Sequence, residues 1–112
     1  MEISSQREPE VCSGMDEIRA EIDRIDRAVV ALLGKRFKYV LAASRFKTSQ
    51  ASVRAPERFK AMLLKRREWA ADEGLNPDAI ERLYSDLVNH FIDEEMRHWE
   101  ARSAVTAENN GA

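Results

Sequence analysis

The stretch DEIRAEIDRIDRAVVALLGKRFKYVLAASRF, Asp16 to Phe46, decides the fold. Ile18, Ile22, Ile25, Val29, Leu32, Leu33, Val40 and Ala43 recur in it at three- and four-residue spacing, the period of one helical face. The pattern predicts a first helix from Met15 or Asp16 to about Phe46. At about 1.5 Å per residue, roughly thirty residues make a rod of about 45 Å. A folded chain of about 100 residues is only some 35 Å across. In a monomer such a rod would leave its apolar stripe wet. A second copy lying alongside is the economical solution, so a homodimer is expected.

The chain beyond this rod is read in the same way. Lys47 to Ala55 is a polar loop, and Pro56 suits the first turn of a second helix, where its missing N–H costs nothing. That helix is expected to turn Phe59, Met62, Leu63 and Trp69 inward and to end at Gly74, a natural left-handed cap. Leu75-Asn76-Pro77-Asp78-Ala79-Ile80 then offers an Asn cap, a proline at the first helical position, an early acid and a Leu75–Ile80 staple. The third helix is predicted to run to about Ala101 on Ile80, Leu83, Tyr84, Leu87, Val88, Phe91, Ile92, Met96 and Trp99. No segment alternates with period two for long enough to argue a strand. The class is all-α, with three helices per chain. Residues 15–101 form the domain, 1–14 a flexible leader and 102–112 a flexible tail.

Composition narrows the function. Eighteen Lys and Arg against twenty Asp and Glu in 112 residues give a net charge of -2. That balance, interleaved along all three helices, argues against nucleic acid and against a polybasic membrane anchor. No run of roughly 18 apolar residues offers a membrane span. Cys12 is the only cysteine, so neither an internal disulfide nor a multi-cysteine metal site is available. The first residues show no secretory signal pattern. A cytoplasmic setting fits best.

Some charges fall inside the apolar stripes. At about 100° per residue Arg36 shares the azimuth of Ile18, and Lys47 would lie about 20° away if the helix continued. Glu95 falls within the apolar arc of the third helix, among Phe91, Ile92 and Trp99. Buried charges need partners. A buried Arg–Glu pair that merely sets register is the plain alternative. Arg58, in the first turn of the second helix, opposes the helix dipole unless an anion lies nearby. His90 and His98 read as helix-surface or edge residues, and no spacing suggests a metal. Trp69 and Trp99 read as core or interface.

Asp16-Glu17-Ile18-Arg19 through Ile22-Asp23-Arg24-Ile25-Asp26, then Leu32-Leu33-Gly34-Lys35-Arg36 and Ala42-Ala43-Ser44-Arg45-Phe46-Lys47, resemble the all-helical chorismate mutase family. Ser44-Arg45-Phe46-Lys47 and Ala55-Pro56-Glu57-Arg58 look like its isochorismate-pyruvate lyase branch, which serves salicylate and siderophore synthesis. The resemblance covers about residues 14–101 and implies an intertwined helical homodimer with two equivalent sites. It implies that Arg19, Arg36, Arg58 and Lys47 grip a small dicarboxylate, with Arg19 contributed to the other protomer's site. Spacing agrees with that division, since Arg19 and Arg36 lie about 25 Å apart on one helix.

The implied reactions are pericyclic and use no metal, cofactor or nucleophile. Catalysis would come from holding a compact conformer and stabilising charge on the ether oxygen as its C–O bond breaks. Lys47 is the candidate for that oxygen, with Glu95 as second donor. Many members carry Gln at the position of Glu95; an amide donates at any pH, a carboxyl only when protonated. Mutases of the family usually have Glu after the post-loop arginine, where Phe59 stands here. That favours pyruvate elimination from isochorismate over the mutase reaction. The alternatives are a chorismate mutase and a non-catalytic helical dimerisation module, the last requiring Arg19, Arg36 and Lys47 to be satisfied by carboxylates such as Asp23 or Asp26.

Overall fold

The helices stop and start where capping chemistry directs, as seen in a computed structural model that describes residues 6–110. Residues 1–5 of the expected leader and 111–112 of the expected tail lie outside the described residues. A 3-10 turn at Pro9–Val11 precedes α1 (Met15–Ser44), α2 (Gln50–Arg54), α3 (Pro56–Asp72) and α4 (Pro77–Asn110). No strand occurs among the described residues, so the all-α expectation is borne out. The three expected long helices are α1, α3 and α4.

The chain divides into two compact units, Met1–Tyr39 and Val40–Ala112. In the first, the leader contacts the start of α1. Arg7 pairs with Glu17, which also accepts from the Ser13 amide at 2.7 Å. The Ser13 amide first, and then Arg7, hold the Glu17 carboxyl down at about 2, from an ordinary 4.5. A lowered value stabilises the folded state above the ordinary value, and the contribution is lost as pH falls from about 4.5 towards 2. Glu21, buried, accepts from the Gln6 amide at 2.9 Å and from Arg24 at 2.8 Å. Along the same helix the apolar stripe is open, with Ile22 51%, Val29 45% and Leu32 38% exposed.

In the second unit α3 and α2 both pack against α4. Val53, Met62, Ala70 and Met96 are buried there. Arg67 ties the end of α3 to the start of α4 through Asp78 at 2.7 Å and Glu81 at 3.4 Å. The expected punctuation is present. Gly74 is left-handed at φ 74°, and the Asn76 side chain accepts from the Asp78 and Ala79 amides at 2.9 and 3.1 Å.

Several local expectations are corrected. The stretch read as a polar loop contains α2, capped by Ser49, whose hydroxyl accepts from the Ser52 amide at 3.1 Å while Ser52 accepts from the Ser49 amide at 3.1 Å. This is a capping box with serine in the place of the usual Glu or Gln, and so it carries a weaker sequence signal. Helix α1 ends at Ser44, short of Phe46, and α4 continues past Ala101 to Asn110. Trp69 lies 47% exposed, with the Arg66 guanidinium 4.4 Å over its ring, because a cation on the same face lets the indole stay at the surface. Leu83, expected inward, is exposed as well, and so is Leu75 of the expected staple.

Candidate active site

Lys47 does not continue α1; it stands in the turn that closes it. The last carbonyls of a helix lack intrahelical donors. Here three successive tight bonds satisfy them: Arg45 N–H to Ala42 at 3.2 Å, Phe46 N–H to Ala43 at 3.0 Å and Lys47 N–H to Ser44 at 3.2 Å. Ser44 is buried and its hydroxyl donates to the Leu41 carbonyl at 2.6 Å. The turn therefore carries Lys47 off the stripe azimuth and towards α4.

Across from it, Glu95 lies on α4 beside the buried Met96 and half-buried Phe91 and Ile92, and is itself only 4% exposed. The Lys47 ammonium stands 3.3 Å from Glu95 Oε2, with the lysine side chain half-buried. Oε2 is in charge contact here but accepts no aligned hydrogen bond. One helical turn further along α4, the Trp99 indole donates to the Lys47 carbonyl at 2.9 Å. Glu95 was legible in the sequence as a carboxylate within an apolar arc. The bond made by Trp99 has no local signal in the sequence, since its acceptor lies 52 residues earlier.

The remaining cations are placed separately. Arg58 is exposed in the first turn of α3, three residues after Ala55, which adopts left-handed φ 39° and ψ 62° and joins α2 to α3. A non-glycine residue there stores about 1 kcal/mol, the kind of strain that persists where it orients a functional segment. In the first unit Arg19 is exposed on α1 and Arg36 is half-buried. Among the described residues neither Arg19 nor Arg58 has an ion-pair partner. Of the three cations that the dimerisation-module reading needs satisfied by carboxylates, Lys47 is paired with Glu95, whereas among the described residues Arg19 has no ion-pair partner. The structure thus joins Lys47 to Glu95 and presents Arg19 and Arg58 at the surface of their own units.

Among the described residues no group of three His, Cys, Asp or Glu side chains could hold a metal ion. No helix among them is long and apolar enough to cross a membrane.

Residues 18–96 match the family model for chorismate mutase type II, and the chain belongs to that family. Among particular relatives, it is 46% identical over 91 residues to the isochorismate pyruvate lyase of Pseudomonas aeruginosa, covering 81% of this chain and 90% of that protein. It is also 35% identical over 81 residues to the T-protein of Haemophilus influenzae, covering 71% of this chain but 20% of that protein.

Proposed function

We propose that the chain is an isochorismate pyruvate lyase: the ring–oxygen bond of isochorismate breaks as the hydrogen on the neighbouring carbinol carbon passes to the methylene carbon of the enolpyruvyl group, which leaves as pyruvate while the ring becomes salicylate. The observation that carries this reading is the 46% identity to a lyase of that name across 90% of its length. The juxtaposed Lys47 and Glu95 support it chemically. The reaction is unimolecular and pericyclic, so the residues need only compress the substrate and meet charge developing on the ether oxygen. Lys47 acts on that oxygen, with Glu95, which the ammonium contacts at 3.3 Å, as the second donor of the scheme. Arg19, Arg36 and Arg58 neutralise and orient the two carboxylates of a small dicarboxylate substrate, since guanidinium forks match carboxylates in two-point contact. No cofactor enters the scheme. A cytoplasmic setting accords with a chain that carries one cysteine.

The functional assembly in this reading is a homodimer, with Arg19 reaching the partner's site. Support comes from the wet apolar face of α1 and from the open groove there lined by Pro9, Ile18, Ile22 and Ile25. Light scattering at micromolar concentration is expected to give a dimer mass; a monomer with full helicity rejects the assembly. Arg19→Ala and Arg36→Ala proteins should each be nearly inactive. Mixed and allowed to exchange subunits, they should regain about a quarter of wild-type activity, because half the dimers carry one intact site of two. No recovery after proven exchange would place both arginines in one protomer's site.

The deciding assay is incubation of the purified protein with isochorismate and, separately, chorismate. Salicylate fluorescence from the first is expected to dominate. Phe59 follows Arg58 and has no acceptor for a ring hydroxyl, so prephenate from chorismate is expected only as a slower side reaction. Faster prephenate formation would establish the mutase reading instead.

A further inference from the structure

We propose that Trp99 is a positioning residue for the elimination: its indole N–H, by holding the Lys47 carbonyl, sets where the Lys47 ammonium stands. The inference rests on Lys47 being the group that meets the ether oxygen.

Lysine ends a flexible four-carbon stem, so the position of its ammonium depends on how firmly its backbone is held. At Lys47 both flanking peptide groups are engaged. Its N–H donates to Ser44 at 3.2 Å, on the α1 side, and its carbonyl accepts from Trp99 at 2.9 Å, on the α4 side. The head of the same residue meets Glu95 at 3.3 Å. Glu95 and Trp99 are four residues apart on α4, hence on one face and about 6 Å apart along the axis. An extended lysine stem has about that length, as a run of ~1.5 Å bonds at tetrahedral angles gives. One face of α4 therefore grips Lys47 at two points, backbone and ammonium, at a spacing that suits the side chain.

The surroundings make the Trp99 contact matter. Thr48, Ser49 and Gln50 after Lys47 are exposed, and the chain is next buried at Val53 within α2. The connection also meets α4 through the Lys47–Glu95 pair, through the packing of α2 and through the 3.5 Å contact between the exposed Gln50 and Glu100 side chains, but the Trp99 bond is the one made to the Lys47 backbone. A half-buried indole N–H wants an acceptor, and here it spends that donor on the backbone of the catalytic lysine rather than on a neighbouring turn of its own helix. Without it, the Lys47 carbonyl loses its bond from α4.

Trp99→Phe keeps the aromatic bulk and removes the donor. The expected result is a fall of about tenfold in kcat for isochorismate, with KM changed less than about twofold, because misplacement of a reacting group is felt mainly in the transition state. The Thr48 and Ser49 amides, which both donate to the Ser52 hydroxyl, should exchange hydrogen faster in this variant. In a Lys47→Ala background, Trp99→Phe should cause no further loss, since it acts through Lys47. An unchanged kcat in Trp99→Phe, or losses that multiply in the double variant, would overturn the proposal. If Lys47→Ala itself leaves kcat intact, the assignment of Lys47 fails and this inference falls with it, a pattern distinct from Trp99→Phe failing alone. Should Trp99→Phe lose helicity, benzothienylalanine at position 99 in a Trp69→Phe background replaces only the N–H by sulfur and carries the same expectations.

Discussion

Lys47→Ala is expected to lower kcat for pyruvate elimination about 10²–10³-fold, the loss typical of removing one donor aimed at developing negative charge. KM should change far less, because the carboxylates of the substrate keep their arginines. The ammonium stands 3.3 Å from Glu95, which is 4% exposed, so its removal also leaves a buried carboxyl without its cation. An unmatched buried polar group costs about 1–3 kcal/mol, which should show as a lower thermal midpoint. The two effects separate in the double variant Lys47→Ala/Glu95→Gln. Stability should return, since the amide carries no charge to bury, while elimination stays slow. If single-turnover rates in Lys47→Ala match wild type and only the apparent affinity weakens, Lys47 binds substrate and does nothing more.

Glu95→Gln is expected to preserve or raise the elimination rate and to remove the pH dependence that a carboxyl donor imposes. The sign follows from the donor. A carboxyl donates a hydrogen bond only in its protonated form, so a reaction that uses that bond is fastest at low pH and fades as pH rises. An amide of nearly the same shape donates throughout, and the high-pH limb should flatten. The charged groups in reach matter here: Lys47 is the cation in contact with Glu95, and the substrate adds two negative charges when it binds. Removing the carboxylate charge also frees the Lys47 ammonium to turn wholly towards the ether oxygen. Glu95→Ala, which removes the donor, should be about 10²-fold slower at every pH. On the plain ion-pair reading Glu95→Gln lowers stability and leaves the pH profile superimposable on wild type. Profiles of the two proteins measured side by side decide between these outcomes.

The readings that held in the structure are those in which the cause lies within a few residues. The period of Ile18, Ile22, Ile25 and Val29 makes a helix wherever it occurs, because successive residues turn by about 100° about the axis. Asn76 caps α4, Pro56 opens α3 and Gly74 takes φ 74° for reasons of local hydrogen bonding and sterics. Even the burial of Glu95 was legible, since its place between Phe91 and Trp99 puts it on the face that must be covered. The composition and the motif runs around Ser44–Lys47 and Ala55–Arg58 were enough to point to the family.

What the sequence did not contain is any rule for contacts between distant residues. Helix α1 stops at Ser44 although its pattern continues, because the following turn bonds and the link from α4 offer its last carbonyls and the Lys47 carbonyl better partners. That early stop, not the helical wheel, brings Lys47 to Glu95. Trp69 stays at the surface because Arg66 and its ring satisfy each other there, and Trp99 turns inward to an acceptor 52 residues back. Local propensity determined which helices form and which faces are apolar; the pairing of Lys47 with Glu95 and Trp99 was decided by packing, since a polar group takes its partner from whatever chain the fold brings within about 3 Å.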